Sequence, residues 1–298
     1  MSPDLIGKLF ALLCAVLWAI AVILFKKSGE KLSPIALNLY KTSVALIMIL
    51  PLVIIENLFS HSINELSLYD YIPLIASGII GIAIADSLFF KSLNILGAGL
   101  TAIIDCVYSP MTILLAFVFL SEKISLAVVV GSILVAFAVL IGAYQKNTKS
   151  LKITNTIIGI FYGISGIFLM VISVILMKPV LQKASVFFVT EIRLLSGLIV
   201  ILILIFFRKD RKKLFRSSIS KSNFKYALPA TILGNVLAMT LWIAAFKLTN
   251  INIAAILNQT NTIFIIILAS VFLNEKFTLR KLIATILAFS GSIIVILY

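Results

Sequence analysis

Thr101, Asp105, Tyr108, Ser109 and Thr112 recur at helical spacing and so form a polar stripe along one face of an otherwise apolar rod. A carboxylate inside such a rod costs roughly 2.5–3.5 kcal/mol on insertion scales, and groups that expensive usually face a bundle interior or a wet cavity. Farther along, Asn258, Gln259, Thr260, Asn261 and Thr262 supply a second stripe, in which Asn258 corresponds to Asp105 and Asn261 to Tyr108. Two stripes facing each other across a cavity would hold a small solute. The competing reading is hydrogen-bond glue between helices, worth about 0.6–2 kcal/mol per contact. Asp86 shares a helical face with Phe89 and Phe90, and Asn235 and Met239 share one with Trp242. Aromatic walls with a few polar groups are what small-solute sites offer, although packing or interface anchoring also explains aromatic residues in membrane helices. Asp86 and Asp105 are candidates for proton-coupling carboxylates, unless one of them pairs with Lys41 or Lys91.

The other ionisable residues carry blander expectations. Lys41 and Arg193 lie about two turns into their helices, by symmetry at opposite membrane faces. Each attracts an anionic solute or snorkels to the headgroups, and snorkelling is the preferred reading. Glu191, two residues before Arg193, neutralises a neighbour. Glu122 and Glu275 precede Ser125 and Thr278, which read as N-caps, so helix-start electrostatics account for them. His61 sits beside Ser60 and Ser62 as a solvated loop residue. Cys14 and Cys106 fall in apolar runs and read as packing residues rather than disulfide partners. With one His, no His-Glu-x-x-His and no Asp-rich cluster, no metal site and no cofactor are expected.

Helices must position these groups, and the composition says what kind. Of 298 residues, 62% are hydrophobic and 12% charged, with a mean hydropathy of +1.20; a soluble domain carries about 25% charged residues. Apolar runs near 5–25, 34–55, 71–93, 98–120, 126–144, 156–177, 185–207, 226–247, 252–273 and 279–298 predict ten transmembrane helices in an all-α integral membrane protein. The first run reads as a retained helix, because "MSPDLIGK" has one basic residue and no small-residue cleavage pattern follows. The net charge of +14 sits in membrane-flanking connections, where it sets orientation and meets anionic lipid, so nucleic acid is not an expected partner. The stretch 208–225 is too polar to enter lipid and reads as a solvated surface loop.

The chain also repeats itself. "VFLSEKIS" at 118–125 returns as "VFLNEKFT" at 271–278, with the two Glu 153 residues apart; Lys26 matches Lys178 and Lys41 matches Arg193 at a spacing of 152. Five helices per copy is an odd number, so the second copy enters the membrane from the opposite face. Two inverted five-helix repeats, 1–148 and 149–298, follow, with a solute site near the midplane between them.

The Trp18-Ala19 pair, Trp242-x-x-Ala245, Pro110, Glu122 and Glu275 within this duplicated frame resemble the EamA family of the drug/metabolite transporter superfamily over essentially the full length. The resemblance implies a metabolite transporter of the cell (plasma) membrane, often an exporter of amino acids or related solutes. The expected substrate-binding set is Trp18, Asp86, Phe89, Phe90, Asp105, Tyr108, Asn235, Trp242, Asn258 and Asn261, with Asp86, Asp105, Lys41 and Arg193 coupling or gating. Where the copies differ, specificity would be written. Pro110 faces Ile263, so a proline kink belongs to one half only; Lys91 faces Ala244 and Asp86 faces Met239.

Basic residues following odd-numbered spans number 18, against five on the other side, which by the positive-inside rule puts both termini outside. Members of the family more often look to have their termini inside. The preferred function is a secondary transporter of a small polar metabolite such as an amino acid, exported against proton uptake by alternating access. No Walker-type loop supplies ATP chemistry. The alternatives are a lipid translocase or a non-transporting membrane partner using the basic stretch, and an intramembrane enzyme, which lacks the paired carboxylates or metal ligands it would need. Besides the solute and membrane lipid, a second copy is a candidate partner. Gly159-x-x-x-Gly163, Ala138-x-x-x-Gly142 and Ala284-x-x-x-Ala288 allow close helix contacts, either within the bundle or at a homodimer face on spans five and ten.

Overall fold

The structure is a computed structural model describing residues 2–60, 66–108, 110–112, 114–115, 126–143, 153–220, 225–249, 254 and 257–297, and all regular structure among them is helical. The first helix shows why these segments start where they do. In α1 (Pro3–Gly29) the Ser2 hydroxyl accepts the Leu5 amide, Pro3 opens the helix, Asp4 sits in the first turn, and Lys26 and Lys27 close the last. Then follow α2 (Pro34–Ser60), α3 (Leu68–Leu96), α4 (Ala98–Asp105), α5 (Leu126–Ala143), α6 (Ile153–Leu181), α7 (Val186–Phe206), α8 (Arg211–Ser218), α9 (Ala227–Leu248), α10 (Asn261–Phe272) and α11 (Leu279–Leu297). Helices α1, α2, α3, α6, α7 and α9 are long and apolar enough to cross a membrane.

Two of the ten expected spans are interrupted among the described residues. Helix α4 ends at Asp105 in a turn at Cys106 and Val107, and a turn at Thr260 precedes α10. Pro110 explains the first break, since it has no N–H to offer the Cys106 carbonyl one turn back. It does not explain the second. There the Thr260 hydroxyl donates to the Leu257 carbonyl at 2.6 Å, and the Ile263 amide reaches back only three residues, to Thr260. Both halves are interrupted at matching positions, not one half as the proline alone implied.

The packing pairs exchange when the halves are exchanged. Helix α1 packs on α9 as α6 packs on α3, α1 on α10 as α6 on α4, while α2 meets α7 and α5 meets α11. The detail is preserved down to single atoms. A Cβ added at Gly7 would stand 2.8 Å from Thr249 and one at Gly159 2.6 Å from Leu96; one at Gly81 would meet Ser173 and one at Gly234 would meet Ala21. Glycine is what lets these helices approach so closely.

Polar contacts sort to two ends. At one, Asp4 meets Thr249, Lys247 donates to the Ala184 carbonyl at 2.8 Å, and Lys183 pairs with Asp70 at 2.9 Å. At the other, Lys26 donates to the Asn94 carbonyl at 2.9 Å, and Glu275 meets the α4 N-terminus. Helix α1 therefore starts at the end where α6 finishes.

Part of the 208–225 stretch is not loop but α8, whose Leu214 is buried where the helix docks on α2 while its basic residues stay outside. Beside it the Arg208 guanidinium, hydrogen-bonded to Asp210 at 2.8 and 3.0 Å, holds that carboxyl below the usual carboxylate range. The small residues are used within the chain: Ala138, Ala284 and Ala288 are fully buried, and Gly291 lies against the Gly131 carbonyl where α5 meets α11. Ser109, Glu122, Ser125, His61 and the first copy of the repeated octapeptide lie outside the described residues.

Candidate functional site

A cavity of about 150 Å3 opens between the two sets of helices. Helices α3 and α9 build its walls, and both carry a π-helical stretch there, Gly78–Ala85 and Ile232–Ala238. Such stretches often mark functional positions, because the widened turn leaves carbonyls without their usual partners. In α3 the fully buried Asn38 of α2 supplies them: its amide donates to the Ile82 carbonyl at 2.7 Å, the Ala83 carbonyl at 3.3 Å and the Ser87 hydroxyl at 2.9 Å. Asp86 follows directly, its amide reaching back five residues to Gly81.

Trp18 enters from α1, Asp86 and Phe89 from α3, Asp105 and Tyr108 from the interrupted α4 segment. From the second half come Asn235, Met239 and Trp242 of α9, with Asn258, Gln259 and Asn261 before and at the start of α10. Trp18 and Phe89 lie 5.9 Å apart between ring centres, and Trp242 and Phe246 5.0 Å. Most lining residues are counterparts at the repeat spacing: Trp18 and Met170, Ile82 and Asn235, Asp86 and Met239, Phe89 and Trp242, Asp105 and Asn258, Tyr108 and Asn261. The hollow is symmetric in position and asymmetric in chemistry, with its carboxylates in the first half and amides in the second.

The two polar stripes do meet, as Asp105 is hydrogen-bonded by the Asn261 side chain and the Thr262 hydroxyl donates to the Ala102 carbonyl at 3.3 Å. The partner of Asp105 is thus Asn261, not its counterpart Asn258. Thr101 and Thr112 leave the stripe, because their hydroxyls donate to carbonyls of their own segment, Gly97 and Tyr108.

Phe90, expected beside Phe89 in the site, does not line the cavity. It is buried behind it, edge-on to Phe25 at 5.1 Å and 5.7 Å beneath the Lys41 ammonium. Lys41 does not snorkel either, and neither does Arg193; each is 1% exposed. Instead of lying at opposite membrane faces, they converge on one region. Lys41 Nζ stands 2.6 Å from Asp86 Oδ2, and Arg193 lines the cavity within electrostatic reach of Asp86 and Tyr108. Glu191, expected to neutralise a neighbour, makes no ion pair among the described residues, and its Oε2 is buried without a hydrogen bond.

Glu275 has a role that its own sequence neighbourhood hides. Thr278 does accept the Lys281 amide as a cap of α11, at 3.3 Å. The Glu275 carboxylate reaches across to the other half, accepting the Ala98 amide at 2.7 Å, the Gly99 amide at 3.1 Å and Lys281 Nζ at 2.9 Å. Gly97, at φ +84°, makes the turn that aims those amides at it.

Sequence reasoning also missed Asn38, Cys14, Gly166, Met170 and Phe246. The 152-residue spacing pairs Trp18 with Met170, and that was the signal that could have found Met170. Among the described residues, no three His, Cys, Asp or Glu side chains converge as metal ligands. What the arrangement can do is enclose a small solute between aromatic faces and offer it unsatisfied polar atoms, since Asn235 Oδ1, Asn258 Oδ1 and Arg193 Nε are buried without partners.

Known proteins agree with this architecture. The model of the EamA-like transporter family matches twice, over residues 5–143 and 157–297. An uncharacterized transporter of Archaeoglobus fulgidus is 25% identical over 274 residues, covering 91% of each chain. A protein crystal structure superposes with a TM-score of 0.69 at 13% identity over 98% of this chain and 96% of that one, which shows a shared fold. With two tandem matches spanning nearly its whole length, this membrane protein belongs to the EamA-like transporter family.

Proposed function

We propose that the protein is a secondary transporter that exports a small polar metabolite, such as an amino acid, across the plasma membrane by alternating access, driven by proton entry. The two halves act as inverted repeats that open the cavity to one side and then the other. One observation carries the reading: the hollow between the halves is lined by repeat-related pairs and holds buried polar atoms without partners. The breaks beside Asp105 and Thr260 support it, because discontinuous helices free backbone groups at membrane depth only where protein or a cavity receives them. Asp105 is the coupling carboxylate, since it faces the cavity with an amide partner and, among the described residues, makes no ion pair.

The test loads proteoliposomes with a mixed pool of amino acids, nucleosides and sugars and measures what leaves faster than from protein-free vesicles, with and without a pH gradient. Selective efflux of one class is expected. Efflux no faster than from empty vesicles for every class would end the transporter reading. The Asp105→Asn variant should lose about a hundredfold or more of the gradient-driven component, the scale of a removed proton-transfer group; undiminished flux would clear Asp105 of coupling.

A further inference from the structure

Among the described residues, Arg193 is a buried cation that no carboxylate meets in an ion pair. Its position repeats that of Lys41, yet the two differ in what answers their charge. Lys41 holds Asp86 at 2.6 Å. The residue that corresponds to Asp86 in the second half is Met239, so the repeat that supplies two cations supplies one carboxylate. Arg193 donates from one terminal nitrogen to the Ser173 hydroxyl at 3.1 Å and from the other to the Met177 sulfur at 3.0 Å, a weak acceptor. Its Nε is buried with no acceptor, and no carboxylate lies within 4.0 Å among the described residues. A guanidinium is always charged and presents donors in a planar fork matched to carboxylate. Buried and unpaired, it is costly unless something completes it.

Arg193 also lines the cavity, as do Asn235 and Asn258 with their unpaired acceptor oxygens. The hollow therefore offers an unanswered cation and unanswered acceptors, both inside walls of Trp18, Phe89 and Trp242. We infer that Arg193 is the specificity-determining residue of the cavity and that it receives the carboxylate of the solute, whose hydrogen-bond donor group is taken by Asn235 and Asn258. The ligand class is a small organic acid bearing an amino or hydroxyl group. The Lys41–Asp86 pair stays neutral as a unit, so the solute's anion goes to Arg193. This inference rests on the cavity being the solute site, and it deepens that reading by naming the group the solute must carry.

Both tryptophans of the chain line the cavity, which makes intrinsic fluorescence a direct reporter of occupancy without transport. Purified full-length protein in detergent is titrated with a panel of amino acids, the matching hydroxy acids, and the carboxamides of each. Carboxylates of either series are expected to bind at least about tenfold tighter than their carboxamides, one decade being the loss of roughly 1.4 kcal/mol of charge-assisted contact. In Arg193→Gln that preference should fall to within about twofold, whereas Arg193→Lys should keep part of it because the charge remains and the fork is lost. Equal binding of carboxylate and carboxamide by the unaltered protein overturns the inference without needing any variant to fold, and so does a preference that survives in a folded Arg193→Gln. Saturable fluorescence changes with neutral solutes alone would leave the solute site standing and remove Arg193 as its anion receptor. No change with any of them, together with efflux no faster than from empty vesicles, would remove both.

Discussion

Lys41 and Asp86 show how much a single buried pair decides. Lys41 is 1% exposed and its ammonium stands over Phe90, and its charge partner within 4.0 Å among the described residues is the carboxylate 2.6 Å away. Removing one member leaves the other charged in an apolar wall, which typically costs about 3–5 kcal/mol, whereas replacing both by apolar groups of similar shape is often neutral. Lys41→Met is therefore expected to destabilise the protein by roughly that range, toward its lower end because Asp86 reaches the cavity, and Lys41→Met/Asp86→Leu to recover most of the loss. Unfolding of the four proteins of this cycle in detergent measures it. A double variant no more stable than the single would mean that the pair does not act as a unit. Sequence could name Lys41 and Asp86 but not join them, since a lysine near a helix end snorkels or pairs according to what the neighbouring helix offers. Phe90 illustrates the same limit. Positions three and four after Asp86 share its helical face, and only the placement of α1 and α2 decides that Phe89 meets the hollow and Phe90 the core.

Among the elements, the start of α4 is held from outside its own half. Its first amides have no partners in the helix, and Glu275, beyond the end of α10, accepts two of them while Lys281 balances the charge. A carboxylate at a helix N-terminus both satisfies donors and suits the helix dipole. Glu275→Ala should leave the Ala98 and Gly99 amides exchanging hydrogen at least about tenfold faster, matching the loss of roughly 1–3 kcal/mol for partly buried donors left unmade. Glu275→Gln, which keeps one carbonyl acceptor, should fall between. Unchanged exchange at both amides would show that the cap contributes nothing to holding α4. The Glu-Lys step was legible in the sequence as a repeated helix-start signal, but which helix it serves was not, because the contact spans 177 residues of chain.

At the scale of the molecule, the exchange of packing pairs between halves and the sorting of polar contacts to two ends support the inverted arrangement proposed above. Counted over the expected spans, the basic residues divide 18 to five between the two sides, and by the positive-inside rule we propose that the heavy side, with α8, faces the cytoplasm and that both termini lie outside. Compartment-sensitive reporters fused in turn to each terminus are expected to report the exterior. Cytoplasmic signals from both would reverse the orientation while leaving the packing untouched, because the two orientations differ by a turn of the whole molecule in the bilayer.

The residues alone determined that the chain is membrane-embedded, helical and duplicated, since apolar runs of spanning length and a recurring 152–153 spacing are properties of order along the chain. They also marked Trp18, Asp86, Phe89, Asp105, Tyr108, Asn235, Trp242, Asn258 and Asn261, which the fold gathers around one hollow. Polar and aromatic side chains in an apolar helix are conspicuous in any listing of letters. Only the tertiary structure decided which cations find a carboxylate, which phenylalanine turns inward, and that Gly166 lies close against α3 at the edge of the hollow. Those outcomes depend on distances between helices remote in sequence, and electrostatic and packing energies fall off over a few ångströms that the order of residues does not record.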